Sequence, residues 1–136
     1  MSADAPAYVL DSFALLVYLQ GEAGMPRVKA VLEAAAQGSA RVYLSLINLG
    51  ELLYITEREQ GLTQAQAVLA AVEQLPIQVL PATREAVLQA AHLKARYPLA
   101  YADAFAVAAA LAQEGLLLTG DPEFAAIEAL IRVEWL

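Results

Sequence analysis

The chain has 136 residues, 60% of them hydrophobic, with a net charge of −7 and no cysteine. That length suits one domain with its own core, and the lack of cysteine excludes disulfides, thiolate zinc sites and cysteine nucleophiles. His92 is the one histidine, which excludes a two-histidine metal site, so any enzyme chemistry must come from carboxylates, hydroxyls, Lys/Arg or a bound cofactor.

The negative charge argues against a nonspecific nucleic-acid coat, because phosphate neutralisation drives such binding. It leaves a nuclease open, since an acidic cluster that holds divalent cations is negative only when empty. No uncharged stretch reaches the roughly 18 residues of a membrane span, so no membrane contact is expected. Met1-Ser2-Ala3-Asp4 carries no basic run. No signal peptide is expected, and the cytoplasm is the expected compartment.

Residues 1–6 read as a short loose terminus. Tyr8-Val9-Leu10 reads as an apolar strand running straight into Asp11-Ser12. Phe13 to Leu19 follows as a helix closed near Gly21. Pro26 suits the first turn of a second helix reaching about Gln37, with Gly38 at its end. Arg41 to Leu44 is a second strand. Ser45 caps a helix from Leu46 to about Gln60, ended by Gly61. Thr63 opens a helix to about Gln74, Pro76 breaks it, and Ile77 to Leu80 is a third strand. Thr83 caps a helix to about Arg96. Pro98 leads into an apolar helix, Ala100 to Gln113, which Gly115 stops. Leu116 to Thr119 is a fourth strand, Gly120-Asp121-Pro122 turns into a short helix, and Ile131 to Trp135 suits a last strand. Short apolar strands alternating with helices imply one α/β domain with a mainly parallel sheet covered on both faces.

Four acids stand out. Asp11 lies at the carboxyl end of the first strand and Asp121 just past that of the fourth, where open α/β sheets bind ligands. Glu51 lies in the second turn of the helix that leaves the second strand, on one face with Asn48. Asp103 is the only charged residue between Tyr101 and Ala112. A helix apolar on every face is buried, and a buried carboxylate needs a partner or a cation. Each acid also admits a plain structural reading: Asp11 and Asp121 as helix caps, Glu51 as a solvated helix residue, Asp103 as a complement to the helix dipole. Taken together, hard oxygen ligands of this kind suit Mg2+ or Mn2+.

Four pieces, in order, resemble the PIN-domain ribonucleases and, within them, the VapC-type toxins of bacterial toxin–antitoxin pairs. They are Tyr8-Val9-Leu10-Asp11-Ser12, Ser45-Leu46-Ile47-Asn48-Leu49-Gly50-Glu51, Ala102-Asp103-Ala104 and Leu118-Thr119-Gly120-Asp121-Pro122-Glu123-Phe124. The resemblance covers nearly the whole chain. It implies a three-layer α/β/α domain on a parallel sheet of about five strands. It also implies Asp11, Glu51, Asp103 and Asp121 as an acidic quartet around Mg2+ or Mn2+, with Asp11 and Asp103 the most direct ligands. Ser12 and Thr119 match supporting hydroxyl positions, and Asn48 stands with them. The implied reaction is metal-assisted hydrolysis of RNA phosphodiesters. The implied partners are RNA, a second copy of the chain, and a small antitoxin that blocks the acidic pocket, often with an arginine. One departure is Phe13, where many members carry a small polar residue. Another is the lack of a basic track; Lys94 and Arg96 are the best candidates for phosphate contacts, with helix-end dipole pairing as the rival role.

Two rival functions remain. An aspartyl-phosphate phosphatase would use Asp11 as nucleophile, but that class wants a second Asp where Phe13 stands. A non-catalytic PIN-like interaction module would carry the same acids as caps and surface charge. His92 supports no triad and reads as structural or solvated.

Overall fold

The computed structural model describes residues 4–136, and these form five β-strands, six α-helices and one 3-10 helix. The strands are β1 (Ala7–Leu10), β2 (Arg41–Ser45), β3 (Gln78–Leu80), β4 (Leu116–Thr119) and β5 (Val133–Trp135). They make one sheet in the order β3-β2-β1-β4-β5, and every pairing is parallel. The expected α/β class and strand number are both seen, with the sheet wholly rather than mainly parallel.

Strand residues alternate between two cores, as a period of two requires. Leu10, Leu44 and Leu118 point to one face. There α1 (Ser12–Gln20), α2 (Met25–Ala36), α3 (Leu46–Gln60) and α4 (Leu62–Glu73) cover them with Leu15, Val28, Leu52 and Val72 among others. Val9, Tyr43 and Leu117 point to the opposite face. That side is closed by α5 (Arg84–Arg96), α6 (Tyr101–Gln113) and the 3-10 helix (Pro122–Ile127). The result is three layers, α/β/α, with the central strands β1, β2 and β4 covered on both faces and the edge strands β3 and β5 partly open.

The alanine-rich helix α6 is the most deeply placed, buried continuously from Asp103 to Ala110. Its small side chains allow close approach to β1, β2 and β4, and alanine favours the helix intrinsically. Glu114 stops it in the left-handed conformation, φ 51°. The expected stop at Gly115 is therefore one residue late. Gly115 serves another purpose, since a Cβ there would lie 3.2 Å from the Ala7 carbonyl oxygen of β1.

The expectation of a loose terminus over residues 1–6 is also corrected where it can be. Residues 1–3 lie outside the described residues. Ala5 is buried, and its carbonyl accepts from both Nε and Nη2 of Arg41 at 3.0 and 2.9 Å. The guanidinium fork ties this segment to the start of β2.

Register sets up the site. Leu10 pairs with Leu44 on one side and with Leu118 on the other. The next residue of each strand, Asp11, Ser45 and Thr119, therefore emerges level on the carboxyl rim. The chain builds outward from β1 to β3, then crosses back to lay β4 on the other side of β1. The switch point falls between β1 and β4, where a crevice opens in doubly wound sheets.

Candidate metal centre

Asp11 is both a cap and a rim acid. It is the N-cap of α1, and its Oδ1 accepts from Ala14 N at 2.7 Å. Its Oδ2 accepts from the Thr119 hydroxyl at 2.5 Å. The side chain is only 1% exposed. Desolvation outweighs these two hydrogen bonds and raises its pKa to about 6. A carboxylate offers about four acceptor sites, so acceptor capacity remains for a cation.

Asp103 sits in the first turn of α6 and is 6% exposed. Its pKa is pushed up to about 7, first by burial and then by the charges of Asp121, Glu51, Glu123 and Asp11. A helix N-terminus favours the ionised form, yet burial and repulsion win here. The sequence expectation that this helix is buried is seen directly.

Asp121 caps the 3-10 helix. It accepts from Glu123 N at 3.0 Å, with Pro122 next in the chain. Its own N–H donates to the Thr119 hydroxyl at 3.0 Å. Thr119 is thus a relay between the two strand ends, holding Asp11 through its proton and Asp121 through its lone pair.

Glu51 reaches the rim from α3, half-buried, and the Ser12 hydroxyl donates to its Oε1. Asn48, one turn earlier, does not enter the cleft. Its Nδ2 donates to the Ala102 carbonyl at 3.0 Å and so fixes the start of α6 against α3. Asn48 Oδ1 is buried without a partner.

One cleft of about 250 Å3 gathers these groups. Asp11, Ser12, Phe13, Glu51, Asp103, Asp121 and Glu123 line it, with Leu16, Leu52 and Ile55 as its apolar wall. Oxygens of Asp103, Asp121 and Glu123 lie within 4.8 Å of one another. Glu123 is the acid that sequence reasoning passed over. The signal was the Asp121-Pro122-Glu123 turn: once Asp121 caps the backbone of residue 123, the two carboxylates come together. Lys94 and Arg96 are exposed on α5 and do not line the cleft, and neither does His92. No Lys, Arg or His is among its described lining residues. A larger cavity, about 570 Å3, lies between α5, α6 and Leu80, but its wall is mostly apolar, with Glu85 as its single carboxylate.

The donor set is all oxygen, acidic and converging, with no cation side chain to neutralise it. Such a set fits a hard divalent cation. Asp103, Asp121 and Glu123 would form its closest cradle, with Asp11 and Glu51 beside them.

The family model that matches the chain is that of the PIN domain, over residues 8–130. No curated protein matches. Among solved structures, the chain is similar to a VapBC complex from Salmonella typhimurium bound to DNA, at 21% identity and TM-score 0.74, covering 95% of this chain and 97% of that one. It is similar to VapBC2 from Rickettsia felis bound to a DNA fragment from its promoter, at 16% identity and TM-score 0.74, covering 94% and 97%. It is also similar to VapC20 from Mycobacterium tuberculosis, a sarcin-ricin-loop-cleaving toxin, at 21% identity and TM-score 0.66, covering 88% and 93%.

Proposed function

The chain belongs to the PIN-domain family, and from that premise we propose that it is a divalent-metal-dependent ribonuclease, the toxin of a toxin–antitoxin pair. The observation that carries this reading is the cluster of Asp103, Asp121 and Glu123 oxygens within 4.8 Å, in a cleft that also holds Asp11 and Glu51. Asp103 is buried beside these like charges with no counter-charge lining the cleft, an arrangement that is costly and is kept where a cation joins it.

Mg2+ or Mn2+ held there would supply Lewis acidity and a bound water of lowered pKa for attack on a phosphodiester. The chain's own residues do the positioning. Asp103, Asp121, Glu123 and Asp11 offer the ligand oxygens. Thr119 and Ala14 N fix the Asp11 carboxylate at the wall of the cleft. Ser12 holds Glu51, which stands free to orient a water or bind a second cation. Asn48 locks the first turn of α6 and with it the height of Asp103.

The acidic cleft also suits a partner that inserts a cation, as an antitoxin arginine would. The VapBC complexes among the similar structures favour such a partner. Apolar side chains left exposed, Leu62, Leu88 and Tyr54 among them, favour a homodimer or a partner interface. None of the helices among the described residues is long and apolar enough to cross a membrane, and a cytoplasmic site of action accords with an RNA substrate. Purified protein should cleave RNA with Mg2+ or Mn2+ and stop on chelation. Metal-independent cleavage, or none with either ion, would remove the reading.

A further inference from the structure

We propose that Phe13 is a stacking platform for a nucleobase, positioning the strand beside the phosphodiester that the acidic cleft receives. The inference rests on the ribonuclease reading and concerns how that site holds its substrate.

Phe13 follows Asp11 and Ser12 in the first turn of α1 and lines the same cleft as the five carboxylates. It is 41% exposed, a large apolar surface to leave in water next to a buried acid. Its ring also has a defined neighbour. The Cδ1–Cε1–Cζ side lies against Gly120, and a Cβ there would collide with Cε1 and sit 2.9 Å from Cζ. Gly120 lies between Thr119, which bonds Asp11, and Asp121. The ring is therefore indexed to the metal-ligand loop by direct contact, and glycine is what permits the approach.

The charge pattern says what such a ring is for. No described Lys, Arg or His lines the cleft, so side chains do not neutralise phosphate there. Stacking on an aromatic face is the other general source of affinity for single-stranded nucleic acid, and it tolerates any base. Phe13 is the only aromatic residue among the described lining residues. Tyr101, exposed on α6, packs edge-on against Phe105 with centroids 5.2 Å apart and does not line the cleft.

The test compares the full-length protein with Phe13→Leu and Phe13→Trp on short single-stranded RNAs. In these RNAs each nucleotide near the cleavage position is made abasic in turn. Phe13→Leu should raise KM roughly five- to a hundredfold with kcat nearly unchanged, and Phe13→Trp should restore it. One abasic position should raise the wild-type KM by a similar factor and leave Phe13→Leu unaffected. The Mn2+-induced rise in Tm should be the same in all three proteins, separating stacking from damage to the metal site. An unchanged KM in Phe13→Leu, or abasic losses of equal size in both backgrounds, overturns the proposal. So does a Phe13→Leu variant that loses only a protein partner. If the wild type cleaves no RNA, the ribonuclease reading fails by itself. Stacking is then read from 2-aminopurine fluorescence in single-stranded RNA. Quenching that Phe13→Leu abolishes and Phe13→Trp restores supports the platform, and its persistence in Phe13→Leu removes it.

Discussion

Thr119 donates its hydroxyl proton to Asp11 Oδ2 at 2.5 Å and accepts from Asp121 N at 3.0 Å. One side chain thus couples the ends of β1 and β4, which lie 108 residues apart in sequence. The coupling follows from register, since Leu10 pairs with Leu118 and the next residue of each strand is the functional one.

Thr119→Val keeps the buried shape and removes both bonds. Asp11 then loses one of the interactions that lower its pKa, so protons compete better with a cation. Stability should fall by about 1–3 kcal/mol. The Mn2+-induced rise in Tm should shrink, measured by thermal unfolding across a metal titration.

The metal-free protein should lose stability as pH rises. Asp103 titrates near 7 when folded and near 3.8 when unfolded. Between those values the folded chain binds more protons, so unfolding free energy falls with pH. Asp11, raised to about 6, adds in the same direction. Stability is greatest below about 4 from these groups, and the loss is complete above about 7. Urea midpoints at pH 5 and pH 8 check this. Asp103→Asn should flatten the difference, and Mn2+ should reverse much of it at pH 8.

Glu123→Gln tests the acid that only the folded arrangement brings forward. It keeps the acceptor oxygen that receives Ala100 N at 3.3 Å and removes the charge. The apparent Kd for Mn2+ should rise about tenfold or more, while Glu57→Gln, on the exposed end of α3, leaves it unchanged. Isothermal titration separates the two.

Legibility differed from residue to residue, for physical reasons. Asp103 was visible because a lone charge in an apolar helix announces burial. Asp11 was visible because a strand ran directly into it. Its cap role and its place in the cleft proved compatible, so choosing between them was unnecessary. Glu123 was hidden because a Pro turn and a cap bring it beside Asp121, and neither has a periodicity. Lys94 and Arg96 were not separable from plain helix-end charges, because a helix-end cation looks the same wherever the helix points. The turn after α6 was misplaced because Glu114, not Gly115, takes the left-handed conformation.

That last point is testable apart from function. Glu114→Gly relieves a left-handed residue at an exposed helix end and should stabilise the fold by about 1 kcal/mol. Thermal unfolding should show a higher Tm with metal response unchanged.

The most direct test of the account is RNA cleavage by Asp103→Asn beside the wild type, in Mg2+ or Mn2+, with folding of both checked by circular dichroism. The account predicts cleavage by the wild type, abolished by chelation, and a loss of at least about a hundredfold in the folded variant. Equal cleavage by the two proteins would contradict it.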